Sequence, residues 1–282
     1  MLGGFTLIEL SIVLVIIGLI VGGVLVGQDL IRAAEVRSVL TDVERFNTAA
    51  NTFIGKYGCL PGDCANATTF WPVNPNCSGW DGNPTPTEGT CNGNGNGIIE
   101  MDGDSGGGTI ANSNTQAFYH DEAHLFWQHL ALAGLIPGAY TGYNPGWVYS
   151  VPGFNVPASR IPNGCYSMLN IQGVETSFAG QLYGPSWGKP ATLSGAVYWF
   201  GAVVYNYGTY FNCGGPLLTP IEAKSIDSKV DDGLPFSGNV QAPAFFGAPY
   251  NSTCTNVAIS TNYDYLTTYT GPQCQLVFKV GF

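Results

Sequence analysis

From Phe5 to Gly27 nearly every position is apolar or small, and Glu9 is the one charge. A helix of roughly 23 such residues is long enough to cross a hydrocarbon core of about 30 Å. A carboxylate inside that core costs roughly 3 kcal/mol or more, so Glu9 predicts a partner and a purpose. A secretory signal peptide has a basic start, a shorter apolar core and a small-residue cut site behind it. Here the run is longer, and the small pair Gly3-Gly4 lies ahead of it. Beyond Gln28 the pattern becomes one-sided. Val36, Val39, Leu40, Val43, Phe46, Ala50, Phe53 and Tyr57 recur at three and four residues, which predicts an amphipathic helix. Asp29, Arg32, Glu35, Arg37, Asp42, Glu44 and Arg45 fall largely off that stripe. No proline occurs from Met1 to Leu60, so one helix of about 53 residues, near 80 Å, is permitted. Its first half is apolar all round, and its second half is the spine of a folded head.

Gly4 followed by "FTLIELSIVLVIIGLIVGG" resembles the processing site of type IV pilins and of the related pseudopilins of type II secretion. The Gly, the aromatic residue after it, the Glu five residues on and the hydrophobic helix all coincide. The resemblance implies cleavage by a prepilin peptidase between Gly4 and Phe5 and methylation of the new Phe5 amine. It divides the chain into a leader (1–4), a transmembrane and polymerisation helix (5–28), the amphipathic half of the same helix (29–57) and a head (58–282). It also implies the partners: other pilin or pseudopilin subunits, the peptidase and an inner-membrane assembly platform. Glu9 of one subunit is then expected to meet the Phe5 amine of its neighbour, a buried pair that sets register more than it stabilises. Gly18, Gly22, Gly23 and Gly27 form small-xxx-small pairs that permit close helix approach. The family often carries a proline in this helix, and this chain has none, so any local loosening falls to the glycines.

In the head the helical pattern stops at "GCLPGDC", where Pro61-Gly62-Asp63 signals a turn. This stretch is similar to the loop after the long helix in some large pilin-like proteins. "CNGNGNGIIEMDGDSGGG" is the metal candidate. Asn92, Asn94 and Asn96 alternate with glycine as in the front of a calcium loop, and Glu100, Asp102 and Asp104 can supply charge. The EF-hand pattern fails at its twelfth position, Gly103, so Ca2+ binding and a plain Gly/Asn loop both stand. "HDEAHLFWQHLALAGLIPGAY" puts His120 and His124 four apart on one helix face, without the Glu that a zincin places directly after the first His. With Leu125, Phe126, Leu130, Leu132 and Leu135 it reads as a short core helix ended by Gly134 or Pro137. "AVYWFGAVVY" and "CQLVFKVGF" have the branched and aromatic content of strands. In "TPIEAKSIDSKVDDGLPFSGNV" Thr219 and Glu222 form a capping-box pattern, with Ile226 and Val230 on one face and Asp232-Gly233 as the stop. The run from Lys224 to Val240 also resembles a distal segment of large pilin-like proteins.

Composition narrows the function. The chain has 282 residues and a net charge of -10, with 19 acidic and 9 basic residues. Nucleic acid and anionic lipid call for clustered Lys and Arg, and no basic run exists. The 39 Gly, 18 Pro, 15 Tyr and 15 Phe suit a head of turns and strands. All eight cysteines (Cys59, Cys64, Cys77, Cys91, Cys165, Cys213, Cys254, Cys274) follow the apolar segment and read as disulfides of an oxidising compartment. Zinc is the competing reading, but no second close Cys pair or suitably spaced His completes a set. Eight cysteines allow about a hundred pairings. A Cys59–Cys64 bridge would staple the turn, Cys77–Cys91 can close the Asn loop, and pilins often close a distal loop such as Cys254 to Cys274. No nucleophile elbow, Walker loop or dinucleotide fingerprint occurs, so no enzyme is expected.

The expected fold is α+β: a long N-terminal helix packed on an antiparallel sheet head, with short helices, extra loops and disulfides. The expected function is structural, a minor or tip subunit of a type IV pilus-like filament. The chain would be held in the inner membrane with its head in the periplasm, then moved into a filament or to the cell surface. Alternatives are a secretion pseudopilin, or a tip adhesin using loop aromatics such as Trp71, Trp80, Trp147 and Trp187.

Overall fold

In a computed structural model, residues 6–75, 77, 89–99, 122–143, 150–170, 195–203, 213–242, 254–255 and 264–282 are described. One unbroken helix, α1, runs over Leu7–Tyr57, 51 residues and about 77 Å. Thr6 caps its start in a capping box with Glu9, and Gly58 ends it in the left-handed region at φ 71°. The expected stripe packs inward: Val36, Val39, Val43, Phe46, Ala50 and Phe53 are all buried. Two polar residues join them, Ser38 and Asp42. Asp42 was expected off the stripe, but it is buried because a tyrosine and an arginine satisfy its carboxylate, as described below.

The head follows as α2 (Glu122–Leu132), β1 (Gly164–Asn170), β2 (Ala196–Ala202), α3 (Pro220–Val230), β3 (Val240–Gln241) and β4 (Leu276–Lys279). The four strands form one antiparallel sheet in the order β1-β2-β4-β3. Register stacks the aromatic positions: Tyr166 lies opposite Phe200, Met168 opposite Tyr198, and Tyr198 in turn opposite Phe278. Alternation sends these residues to the face that receives α1 and α2. Phe46 is the keystone of that layer, edge-on to Trp127, Tyr166 and Tyr198 at centroid distances of 4.9, 5.1 and 5.8 Å. The opposite face, with Ser167, Trp199, Val277 and Gln241, is buried too. Gly214 lies so close to Trp199 that a Cβ there would meet the indole at 2.9 Å.

Helix α3 has the predicted capping box, with Glu222 N–H donating to Thr219 Oγ1 and Thr219 N–H to Glu222 Oε2. It stops at Val230, and Asp231 N–H still donates to Asp227 O. Ile226 is buried as expected, but Val230 is exposed because the helix ends there. Four disulfides pair all eight cysteines: Cys59–Cys64, Cys77–Cys91, Cys165–Cys213 and Cys254–Cys274.

Candidate functional site

The first half of α1 stands unburied. It is the one described helix long and apolar enough to cross a membrane, and none of that window is buried. Its large side chains, from Leu7 through Ile31, all face outward. A Cβ added at Gly18, Gly22, Gly23 or Gly27 would meet nothing within 4 Å. Gly4 and Phe5, the residues of the expected processing site, lie outside the described residues.

Glu9 is engaged within its own chain. Thr6 donates to Glu9 Oε2 twice, from its backbone N–H at 2.8 Å and its hydroxyl at 2.7 Å. Both donors are local, so the carboxylate can exchange them for another partner without disturbing the head. Ser11 is satisfied by its own helix, donating to Ile8 O at 2.9 Å.

Arg32 is where the helix joins the head. Its Nε and Nη2 donate to Glu222 Oε1 and Oε2 at 2.6 and 3.0 Å, and Nη2 also donates to Leu217 O at 3.3 Å. Glu35 adds a contact at 3.5 Å. Burial pushes the Glu222 carboxyl up, but Arg32 and the Thr219 donors outweigh it and hold the pKa below the ordinary value. About three turns beyond the joint, Asp42 accepts from the Tyr166 hydroxyl at 3.1 Å and pairs with Arg45 at 3.0 Å. Burial and the Asp42 charge together push the Tyr166 pKa well up.

The Asn-rich loop is arranged around a carboxylate of the protein itself. Backbone N–H groups of Gly95 and Asn96 donate to Asp63 Oδ1 at 2.6 and 3.1 Å, and Gly97 N–H donates to Oδ2 at 2.8 Å. Such a concave row of N–H groups is an anion cradle. The Asn side chains serve the same loop. Asn92 Oδ1 accepts from Thr68 N–H, Asn94 Oδ1 from Asn96 N–H, and Asn96 Oδ1 from Ile98 N–H. Glu100, Asp102 and Asp104 lie outside the described residues. Burial raises the Asp63 pKa, and the three N–H donors offset part of that rise.

An acidic cluster not singled out in the sequence lies at the end of α3. Asp227, Asp231 and Asp232 offer oxygens within 4.8 Å of one another. Their spacing along "DSKVDD", one helical turn and then one residue more, was the available signal. Each already has donors: Tyr265 Oη and Gly233 N–H to Asp227, Asn239 and Val240 N–H to Asp231, and Leu234 N–H and the Ser237 hydroxyl to Asp232. Burial, and then the neighbouring Asp232 and Asp231 charges, raise the Asp227 pKa to about 6 although Tyr265 and Gly233 oppose the shift.

No family model, curated protein or solved structure matches the chain.

The histidines also find their places. His124 is buried in α2, and His120 lies outside the described residues. His129, to which the sequence assigned no role, is fully buried and joins three segments. Gly62 N–H donates to its Nδ1 at 2.9 Å, while Nε2 faces Thr90 Oγ1 and Cys91 O at 3.0 and 3.2 Å. Trp71 packs against Phe53, Tyr57 and His129; Trp80, Trp147 and Trp187 lie outside the described residues.

Proposed function

We propose that the chain is a structural subunit of a type IV pilus-like filament, a minor or tip pilin processed by prepilin peptidase and assembled through its N-terminal helix. The observation that carries this reading is the split character of α1. Its first half is apolar on every side and unburied, and its second half is the spine of a disulfide-bonded α+β head. A plain anchor needs only the first property. A filament subunit needs both, because the helix must leave lipid and pack against copies of itself while the head stays rigid. Glu9 adds a reason for order in that packing. Held by Thr6 in the free chain, it would exchange those donors for the Phe5 amine of a neighbour, since a buried carboxylate is tolerated only when matched. The disulfides suit a periplasmic head, and the inner membrane is where the helix would wait. A head of about 225 residues favours a minor or tip position, because each repeat of a major subunit must pack around a narrow helical core.

The test is the intact mass of the protein from cells with and without a functional prepilin peptidase. The reading expects loss of Met1 to Gly4, a methyl group on Phe5 and the absence of eight hydrogens. An uncut chain in both strains would mean an ordinary anchor and end the filament reading.

A further inference from the structure

The head meets the apolar segment at one corner. Among the described residues, Arg32 is the first of α1 whose side chain bonds to the head, and it reaches Leu217 O and both oxygens of Glu222. The chain from Gly215 to Glu222 therefore lies within one side chain's reach of the place where the apolar run ends. From Gly215 to Ile221 this corner carries no charge, and the Glu222 charge is matched by Arg32. Lys224, the nearest other cation along α3, is bonded to Asp264 at 2.8 Å.

The corner is also apolar where it is open. Pro216 is exposed, and Ile221 is 61% exposed although α3 buries Pro220, Ala223 and Ile226 on its other side. A large aliphatic side chain is thus presented outward beside the exit of an apolar helix. The length of α1 gives its level. From Leu7 to Arg32 the helix rises about 37 Å, whereas a hydrocarbon core is about 30 Å thick and a bilayer with its headgroups about 40–45 Å. With the apolar segment seated in the core, Arg32 stands in the headgroup layer, and the corner bonded to it stands there too.

We propose that the Pro216–Ile221 corner is a membrane-contact surface, with Ile221 set into the boundary between headgroups and acyl chains beside the emerging helix. The proposal rests on the reading of α1 as membrane-held. Its partner is the zwitterionic bilayer interface rather than anionic headgroups, because the corner offers no unmatched cation. In this state the Arg32–Glu222 pair fixes the head on the bilayer surface at a set angle to the helix. Leaving the membrane for a filament would strip lipid from Ile221 as well as from residues 7–31.

The test uses the full-length protein in phosphatidylcholine nanodiscs, with a benzoylphenylalanine photocrosslinker replacing Ile17, Ile221 or Phe70 in turn. Phe70 is the control. It is exposed and apolar, but it packs 4.9 Å from Tyr57, about 37 Å beyond Arg32 along α1. The expected result is lipid adducts by intact mass at positions 17 and 221, with the yield at 221 at least about fivefold that at 70. Adducts at 17 with 221 no better than 70 overturn the corner and leave the membrane reading standing. Crosslinks from 221 to a second copy of the chain also overturn it. No lipid adduct at 17 overturns the membrane reading and the corner with it.

Discussion

Arg32 and Glu222, 190 residues apart, are joined by two charge-assisted hydrogen bonds of 2.6 and 3.0 Å, and Glu222 is at the same time the capping-box residue of α3. One carboxylate thus caps a short helix and ties it to the long one. Arg32→Ala should cost about 1–2 kcal/mol, at the low end for bonds to a charged group because the arginine side chain is 34% exposed. Arg32→Lys should recover only part of this, since an ammonium cannot give the two-pronged contact. Urea denaturation of the detergent-solubilised protein, with disulfides intact, measures both. An Arg32→Ala midpoint equal to the parent's would mean that the pair adds nothing to stability.

Removing the Cys165–Cys213 bridge should cost more than removing Cys59–Cys64. The first closes a separation of 48 residues and the second one of 5, and the chain-entropy model assigns them about 4 and about 2 kcal/mol. Cys165 is also a core residue of β1, whose neighbour Tyr166 anchors Asp42. Paired Cys-to-Ala variants compared by thermal unfolding decide the order. Equal losses would show that native packing, rather than loop closure, sets the value of these bridges.

How much could be read from the chain follows from how local each feature is. The first half of the helix over Leu7–Tyr57 is written in an unbroken apolar run, and its buried stripe and the Thr219–Glu222 box in spacings of three and four residues, so local pattern finds them. The strands Ala196–Ala202 and Leu276–Lys279 stand out by composition. What stayed hidden depends on partners far away in sequence. Asp42 looks like a surface residue until Tyr166, 124 residues on, supplies a buried donor. Asp63 looks like a turn residue until the Asn/Gly loop wraps three N–H groups around it. The alternation of Asn and Gly is the same whether the loop gathers oxygens around a cation or N–H groups around a carboxylate. No signal in the sequence named Cys213 as the partner of Cys165.

Glu9→Gln should separate folding from assembly. The hydrogen bonds shown for Glu9 are all to Thr6 and the large side chains of residues 7–31 are exposed, so the head's stability should move by less than about 0.5 kcal/mol. Filament incorporation should fall at least tenfold if the carboxylate must match a neighbour's amine. Thr6→Ala removes the hydroxyl bond to Glu9 but leaves the carboxylate and the backbone N–H donor, so it should leave more incorporation than Glu9→Gln. Immunogold counting of sheared filaments, alongside urea curves, provides both readings. Normal incorporation of Glu9→Gln would remove Glu9 from the assembly step.

His129 should give the protein an acid-dependent loss of stability, partly masked by Asp227. Because Gly62 N–H donates to Nδ1, the imidazole proton sits on Nε2, facing Cys91 O and the Thr90 hydroxyl oxygen. The Thr90 proton is given to Gln128 Oε1 at 2.6 Å, which leaves that oxygen free to accept. A second proton, on Nδ1, would point at Gly62 N–H. Burial lowers the pKa to about 4. Between about 6.5 and 4 the unfolded chain therefore binds the extra proton and the folded chain does not. Stability falls as pH drops through that window, by about 3 kcal/mol in all, and the contribution is flat on either side. Asp227, raised to about 6, works in the opposite direction. From about 6 down to about 4 the folded chain holds its proton and the unfolded chain does not, so this residue's contribution rises as pH falls. His129→Gln should flatten the acid loss, and Asp227→Asn should steepen it by removing the counterweight. Urea midpoints at pH 7.5, 5.5 and 4.5 for the parent and both variants read the slopes directly. If His129→Gln keeps the parent's slope from pH 7.5 to 4.5, the acid sensitivity belongs to another group. If Asp227→Asn keeps it as well, neither buried group titrates in that window.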